Sequence, residues 1–271
     1  MVNQEDFFKQ FNCDVIKLKS NRNGEFLSEK LVNNQNSGLL NLTWVNNITG
    51  IVNSLEDTSK LKQNNNLLIH VDATQAIGKI KDWKKLNHDI DAYTFSGHKF
   101  GALKGVGFSF VKKGLFNFEL INGGGQQKFR SGTLNTTGIL SLKLALEELN
   151  EQQKDYSFLR DSFENKLKSS LGDNIEIIGS SASRNFNTSC ILFKDLNVQD
   201  LFNVIDMNNF DISFGSACSS GVVSSNKAIV CMGYSEIESK SILRFSFPIK
   251  HNLVIEAETK RLIDIIFKYV N

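Results

Sequence analysis

Proline is almost missing from this chain: Pro248 is the only one in 271 residues. Together with the abundant Asn and Lys, this marks a compositional bias and carries no function. Cysteine is scarce and scattered. Cys13, Cys190, Cys218 and Cys231 form no CxxC pair, which argues against a zinc knuckle and a disulfide framework and makes reduced thiols the expectation. No charge of one sign dominates, since Lys+Arg 31 against Asp+Glu 29 leaves a formal +2. Neither a nucleic-acid stripe nor a membrane-surface patch is implied, and a small-molecule substrate fits better. No stretch approaches the roughly 20 apolar residues that a membrane span needs. The opening MVNQEDFFKQ lacks the basic-then-apolar order of a signal peptide, so a cytoplasmic location is expected. GVGFSFV at 105–111 has the glycine spacing of neither a dinucleotide site nor a P-loop.

What is present suits a globular chain: 41% hydrophobic and 22% charged residues can support a sizeable core. The first half alternates short apolar runs with helix-compatible segments, as βαβ units do. LLNLTWV at 39–45, LLIHVD at 67–72, AYTFS at 92–96 and GVGFSFV read as buried, mostly parallel strands. From Thr137 to about Lys168 the period becomes helical, and this long helix leads out of the first unit. Beyond it come IEIIG at 175–179, NTSCILFK at 187–194, a helix around VQDLFNVIDM, a Gly/Ser-rich loop at 213–221, a strand LRFSF at 243–247 and a closing amphipathic helix. The expected architecture is α/β: a large domain at 1–150 with a mostly parallel sheet, and a smaller α+β domain at 151–271.

The most informative segments are VDATQ at 71–75 and SGHK at 96–99. Asp72 ends one apolar strand, and Ser96, His98 and Lys99 end the next. In open α/β sheets, ligands sit beyond the carboxyl ends of the strands, so both clusters should face one crevice. An enzyme using pyridoxal phosphate (PLP) needs a lysine for a Schiff base, a carboxylate that keeps the pyridine nitrogen protonated, and hydroxyl or imidazole donors for the phosphate. Lys99, Asp72, Ser96 and His98 supply that set. Cys218 lies in SFGSACSSG, where glycines permit a mobile loop and no apolar neighbours bury the thiol. Cys190, in the apolar run SCILF, reads as core. His70 also reads as core, and His88 and His251 as surface positions.

VDATQ, SGHK, GGGQ, RSGT and GSAC, in that order, resemble the cysteine desulfurases, PLP enzymes of fold type I in the class V aminotransferase-like group. The resemblance implies that Asp72 and Gln75 meet the pyridine nitrogen and the ring hydroxyl, and that Ser96 and His98 bind phosphate. It makes Lys99 the lysine that carries the cofactor and shuttles protons, with Asn47 near the ring. Thr133 would reach the phosphate of a neighbouring subunit's cofactor, which implies a homodimer. Arg244 would grip the substrate carboxylate, a task that suits a planar guanidinium because it makes two parallel hydrogen bonds. Cys218 would take sulfur from L-cysteine as a persulfide, leaving alanine. The persulfide would then pass to a scaffold or carrier protein for iron–sulfur cluster or thio-cofactor assembly.

The pattern also departs from the family. Ile48 stands where the family usually has Glu, and the GGGQ-to-RSGT interval is one residue shorter. The resemblance implies further residues in front, with a glycine–threonine loop for the phosphate and a histidine that stacks on the ring. Neither has a counterpart here, so phosphate binding and ring stacking would both be impaired unless another polypeptide supplies them. Two rival readings stand beside the desulfurase: a related PLP lyase or aminotransferase, such as one acting on selenocysteine, and a truncated homologue or subunit without turnover.

Overall fold

The computed structural model describes residues 5–25, 38–63, 66–115, 123, 130–152, 157–214, 225–248 and 253–270. After a short helix α1 (Glu5–Lys9), the first unit runs β1 (Gly38–Thr43), α2 (Leu55–Gln63), β2 (Leu67–Asp72), β3 (Ala92–Ser96) and β4 (Gly107–Val111). The four strands form one sheet in chain order. β1, β2 and β3 are parallel, and β4 runs antiparallel to β3. Period-2 alternation sorts their side chains. Leu40, Leu42, Ile69, Val71, Tyr93 and Phe95 enter one apolar core with Phe100, Leu142 and Ala145.

The other face carries a polar row linked sideways across the strands. Asn41 Oδ1 meets His70 Nδ1 at 3.0 Å, His70 Nε2 meets Thr94 Oγ1 at 2.8 Å, and Thr94 Oγ1 meets Ser109 Oγ at 3.2 Å. His70 is therefore a half-buried member of a hydrogen-bonded row and not a core residue, because it shares the face of Asp72. β4 also departs from the sequence reading, with no buried residue.

The helical stretch expected from Thr137 to Lys168 is divided between α3 (Thr136–Gln152) and α4 (Ser157–Leu171), with 153–156 outside the described residues. The two helices serve different cores. Leu142 and Ala145 of α3 belong to the first, whereas Leu159, Phe163 and Leu167 of α4 belong to the second.

The second unit continues with β5 (Ile175–Ile177), β6 (Thr188–Phe193), α5 (Val198–Met207), β7 (Ser213–Phe214), α6 (Lys227–Cys231), α7 (Glu236–Lys240), β8 (Ile242–Ser246) and α8 (Leu253–Val270). Its sheet has the order β5-β6-β8-β7 and is antiparallel throughout. α5 starts where Asn197 accepts hydrogen bonds from the Gln199 and Asp200 N–H groups, satisfying donors that a helix start leaves orphaned. α4, α5 and α8 bury one sheet face around Phe163, Leu201, Phe245 and Ile266. Cys190, Leu192 and Ile242 fill the other face with Ile178, Ile229 and Ile51, the last from the first unit. Cys190 is fully buried, as its apolar run suggests, and burial pushes its thiol up to about 12.

Backbone bonds tie the units together: Val52 N–H donates to Ser183 O, Asn185 N–H to Gly50 O and Phe186 N–H to Lys79 O, each at 2.8 Å. Among the described residues no helix is long and apolar enough to cross a membrane.

Candidate active site

β2 and β3 are parallel neighbours in which Asp72 pairs in register with Thr94. The turns that follow them therefore leave from the same sheet edge. After β2, the Thr74 N–H donates to Asp72 Oδ1 at 2.9 Å, closing an Asx turn that holds the carboxylate at the strand end. Among the described residues the other carboxylate oxygen of Asp72 has no donor.

After β3 the chain makes a 3-10 turn over Gly97–Phe100 and leaves it through Gly101, whose φ of 103° lies in the left-handed region that glycine tolerates. Phe100 and Gly97 are buried while His98 and Lys99 are exposed. Core packing on one side of the turn thus sets the lysine on the other. Gly97 is required for this packing, because a Cβ there would lie 2.6 Å from Leu142 Cδ2 and 2.9 Å from Val106 O. Ser96 Oγ and His98 Nδ1 are 2.9 Å apart, so these two polar groups form one unit.

Arg244 reaches the same region from the second sheet. It sits in β8 between Cys190 of β6 and Ser213 of β7. Its Nη1 donates to the backbone carbonyl of Asn47 at 2.9 Å, so Asn47 meets it through main chain. Burial lowers the Arg244 pKa, and its Nε is buried with no partner among the described residues. Asn47 is exposed, in a turn closed by Asn46 Oδ1 accepting from the Ile48 and Thr49 N–H groups at 2.9 and 3.0 Å.

A residue outside the sequence reading completes the cluster. Lys79 is only 9% exposed, and its Nζ donates to Gln75 Oε1. Burial, with the nearby charges of Lys99 and Arg244, brings its pKa down to about 8. Lys99 and Arg244 thus both lie within electrostatic reach of Lys79, and among the described residues no carboxylate pairs with its ammonium. Such a cluster calls for an anionic ligand. The signal in the sequence was faint: a lysine in the turn DATQAIGK is indistinguishable from a solvated one until its burial is known.

The structure therefore gathers Asp72, Gln75, Ser96, His98, Lys99 and Arg244 at one edge, together with the Asn47 carbonyl. It does not bring in Thr133, which is exposed in the loop before α3 and has no hydrogen bond to Ser96, His98 or Lys99 among the described residues. Cys218 and most of GGGQ lie outside the described residues. The donor set fits PLP: an amine on a rigid turn, an acid with one oxygen unengaged, an amide, a hydroxyl–imidazole pair, and cations for its anionic groups.

With an acid ending β2 and a lysine on the turn after β3, this α/β sheet has the layout of the PLP fold type I class. Comparison with known proteins sharpens this, because the aminotransferase class-V family pattern matches residues 3–253, and the chain belongs to that family. A cysteine desulfurase of Gluconacetobacter diazotrophicus is 30% identical over 235 residues, which are 84% of this chain and 57% of that protein. One of Nostoc is 33% identical over 237 residues, 85% of this chain and 58% of that protein. The chain thus spans a little over half the length of these relatives. A solved NifS-like protein superposes with a TM-score of 0.82 at 26% identity, covering 99% of this chain and 72% of that one. A NifS-like protein from Rickettsia africae superposes at 0.78 with 22% identity, covering 96% and 72%.

Proposed function

We propose that this chain carries the PLP-binding and sulfur-accepting part of a cysteine desulfurase. The observation that supports it most is the buried Lys79, with the cations Lys99 and Arg244 in electrostatic reach and no paired acid among the described residues, near the strand-ending Asp72. That arrangement suits a substrate and a cofactor that are both anionic. When bound, PLP supplies an electron sink for charge developing at the substrate α-carbon.

The chain's own residues do the rest. Asp72 holds a proton on the ring nitrogen, Gln75 donates to the ring oxygen, and the Ser96–His98 pair faces the phosphate. Lys99 carries the cofactor and moves the α-proton. Arg244 receives the substrate carboxylate, with its Asn47 contact fixing the guanidinium plane. The Cys218 thiolate then attacks the sulfur of L-cysteine. The new S–S bond forms as the Cβ–S bond breaks, and that electron pair takes a proton to leave alanine. A cysteine thiol near its ordinary pKa of about 8.5 is mostly protonated at neutral pH, so delivery to the cationic cluster would aid this step.

The same reading includes a cytoplasmic homodimer in which Thr133 reaches the partner's cofactor phosphate, and a sulfur-acceptor protein that drains the persulfide. It also divides the chain into a PLP-binding domain at 1–150 and a small domain at 151–271 that bears Cys218. Borohydride reduction of PLP-treated protein followed by peptide mapping tests the core of it. The pyridoxyl label should fall on Lys99, and a label confined to other lysines would overturn the assignment. Cys218→Ser should keep the yellow cofactor band yet form no persulfide. Sulfide and alanine released at the unmutated rate would favour a lyase instead.

A further inference from the structure

We propose that Lys79 is a positioning residue of this site: its ammonium holds the Gln75 amide with the carbonyl oxygen turned toward it, so that the amide NH2 faces the cofactor. The inference rests on the PLP reading above.

The chemistry of the contact decides the orientation. An ammonium has three donors and no acceptor, so only the oxygen of an amide can satisfy it. The Lys79–Gln75 bond therefore assigns the two ends of an amide that diffraction alone often leaves ambiguous. The end left over is a pair of N–H donors, which suits an anionic ring oxygen and rejects a donor.

A purely structural role for Lys79 fits less well. Two other cations of this molecule are matched by acids, whereas Arg244 of the same site shares with Lys79 the lack of a paired acid among the described residues. Arg184 makes two bonds to Glu164 at 2.6 and 2.8 Å, and the half-buried Lys62 lies 2.5 Å from Asp91. Lys79 is as buried as these, yet its charged neighbours among the described residues are the cations Lys99 and Arg244. An uncompensated buried ammonium destabilises a fold, and a residue kept on that footing serves the ligand that balances it. Its backbone is anchored as well, because the Lys79 carbonyl accepts from the Phe186 N–H at 2.8 Å. That bond ties the positioning residue to the second unit, which also bears Arg244.

The test uses the purified full chain and four variants, Lys79→Met, Lys79→Arg, Gln75→Ala and the Lys79→Met/Gln75→Ala double. Three quantities are read: the thermal midpoint without PLP, PLP affinity by absorbance titration, and the position of the bound-PLP absorbance band. Lys79→Met should keep or raise the midpoint, since it removes a buried charge at nearly constant shape. It should weaken PLP binding about fivefold to tenfold, the worth of one hydrogen bond, and move the band. Gln75→Ala should do the same, and the double variant should be no worse than either single, because Lys79 acts only through Gln75. Lys79→Arg should restore affinity to within about twofold.

Gln75→Glu is a separate arm that leaves Lys79 intact. It turns the contact into an ion pair and removes the ring-facing donor, so the midpoint should rise while PLP affinity falls. An unchanged band and affinity in Lys79→Met, additive losses in the double variant, or a lower midpoint in Gln75→Glu would overturn the inference and leave the PLP reading standing. A wild-type chain that takes up no PLP would overturn both.

Discussion

Among the described residues, the second sheet of this protein is packed on both faces and the first on only one. β6 buries all six of its residues, whereas β4 buries none. On the first sheet, one face meets the apolar core and the other carries the Asn41–His70–Thr94–Ser109 row with Leu39, Leu68 and Val111 exposed at its end. Parallel sheets are ordinarily covered on both faces, so the first sheet is the less complete structure. The chemistry sits on that sheet's carboxyl edge, with Lys99 and Asp72. The burial that steadies the molecule sits largely in the second unit, which lends Arg244. Stability and the site are thus divided between two regions that meet at the 47–52 loop.

Breaking the well-packed side should cost most. Phe163 is fully buried, with its ring 4.9 Å from that of Phe245 and 5.4 Å from that of Phe247. Phe163→Ala should cost about 3–5 kcal/mol in urea unfolding, the range for large-to-small core changes. A loss below about 1 kcal/mol would mean that the second unit is not the tighter one.

The buried ion pair of that unit comes next. Arg184 and Glu164 are each under a tenth exposed. Arg184→Ala should cost about 3 kcal/mol because it strands the carboxylate, while the Arg184→Met/Glu164→Leu double should recover most of that. Equal losses in single and double variants would assign the effect to packing instead of charge.

Asp91 supplies the matching test on the first sheet. It accepts from the Ile69 N–H at 2.9 Å and pairs with Lys62 at 2.5 Å and Lys112 at 3.3 Å. Burial raises its pKa, but Lys62, the Ile69 N–H and Lys112 outweigh it and hold the carboxyl below its ordinary range. A carboxylate depressed in the fold contributes stability that is full above its unfolded pKa of about 3.9. That contribution is lost as pH falls through the lower folded value. Asp91→Asn should therefore cost about 1–3 kcal/mol at neutral pH and flatten the acid limb of the stability curve. An acid limb of unchanged slope would show that Asp91 does not carry it.

Much of this architecture could be read before the structure, and the misreadings have physical reasons. β2 and β3 fall at LLIHVD and AYTFS because short apolar runs closed by a polar residue mark them. The helix expected around VQDLFNVIDM is α5. His70 was legible too, since it stands two residues from Asp72 and so shares its face, but the apolar run LLIHV hides the alternation. β4 had a signal in loop length: the ten residues between Ser96 and Gly107 are too few for a parallel crossover. Lys79 had only a faint signal, because a lysine four residues after Gln75 reads as solvated until its burial is known. The Arg244–Asn47 bond, spanning 197 residues, had no local signal.

The smallest expected effect decides whether the contrast between the sheets holds in solution. Leu39 is 65% exposed and Leu68 45%, both on the face that lacks a covering layer among the described residues. A leucine in water gains little from its methyl groups, so Leu39→Ser and Leu68→Ser should each change stability by no more than about 0.5 kcal/mol, as surface substitutions do. The denaturant slope should not change, because the surface exposed on unfolding is nearly the same. A side chain that is covered in solution behaves differently, since burying Leu is worth about 1.5–3 kcal/mol and replacing it by Ser also buries a hydroxyl. A loss of about 2 kcal/mol or more at both positions would therefore place another layer on this face in the folded protein. A loss at Leu68 alone would restrict that cover to the centre of the sheet, because β1, which carries Leu39, is the edge strand of the described sheet.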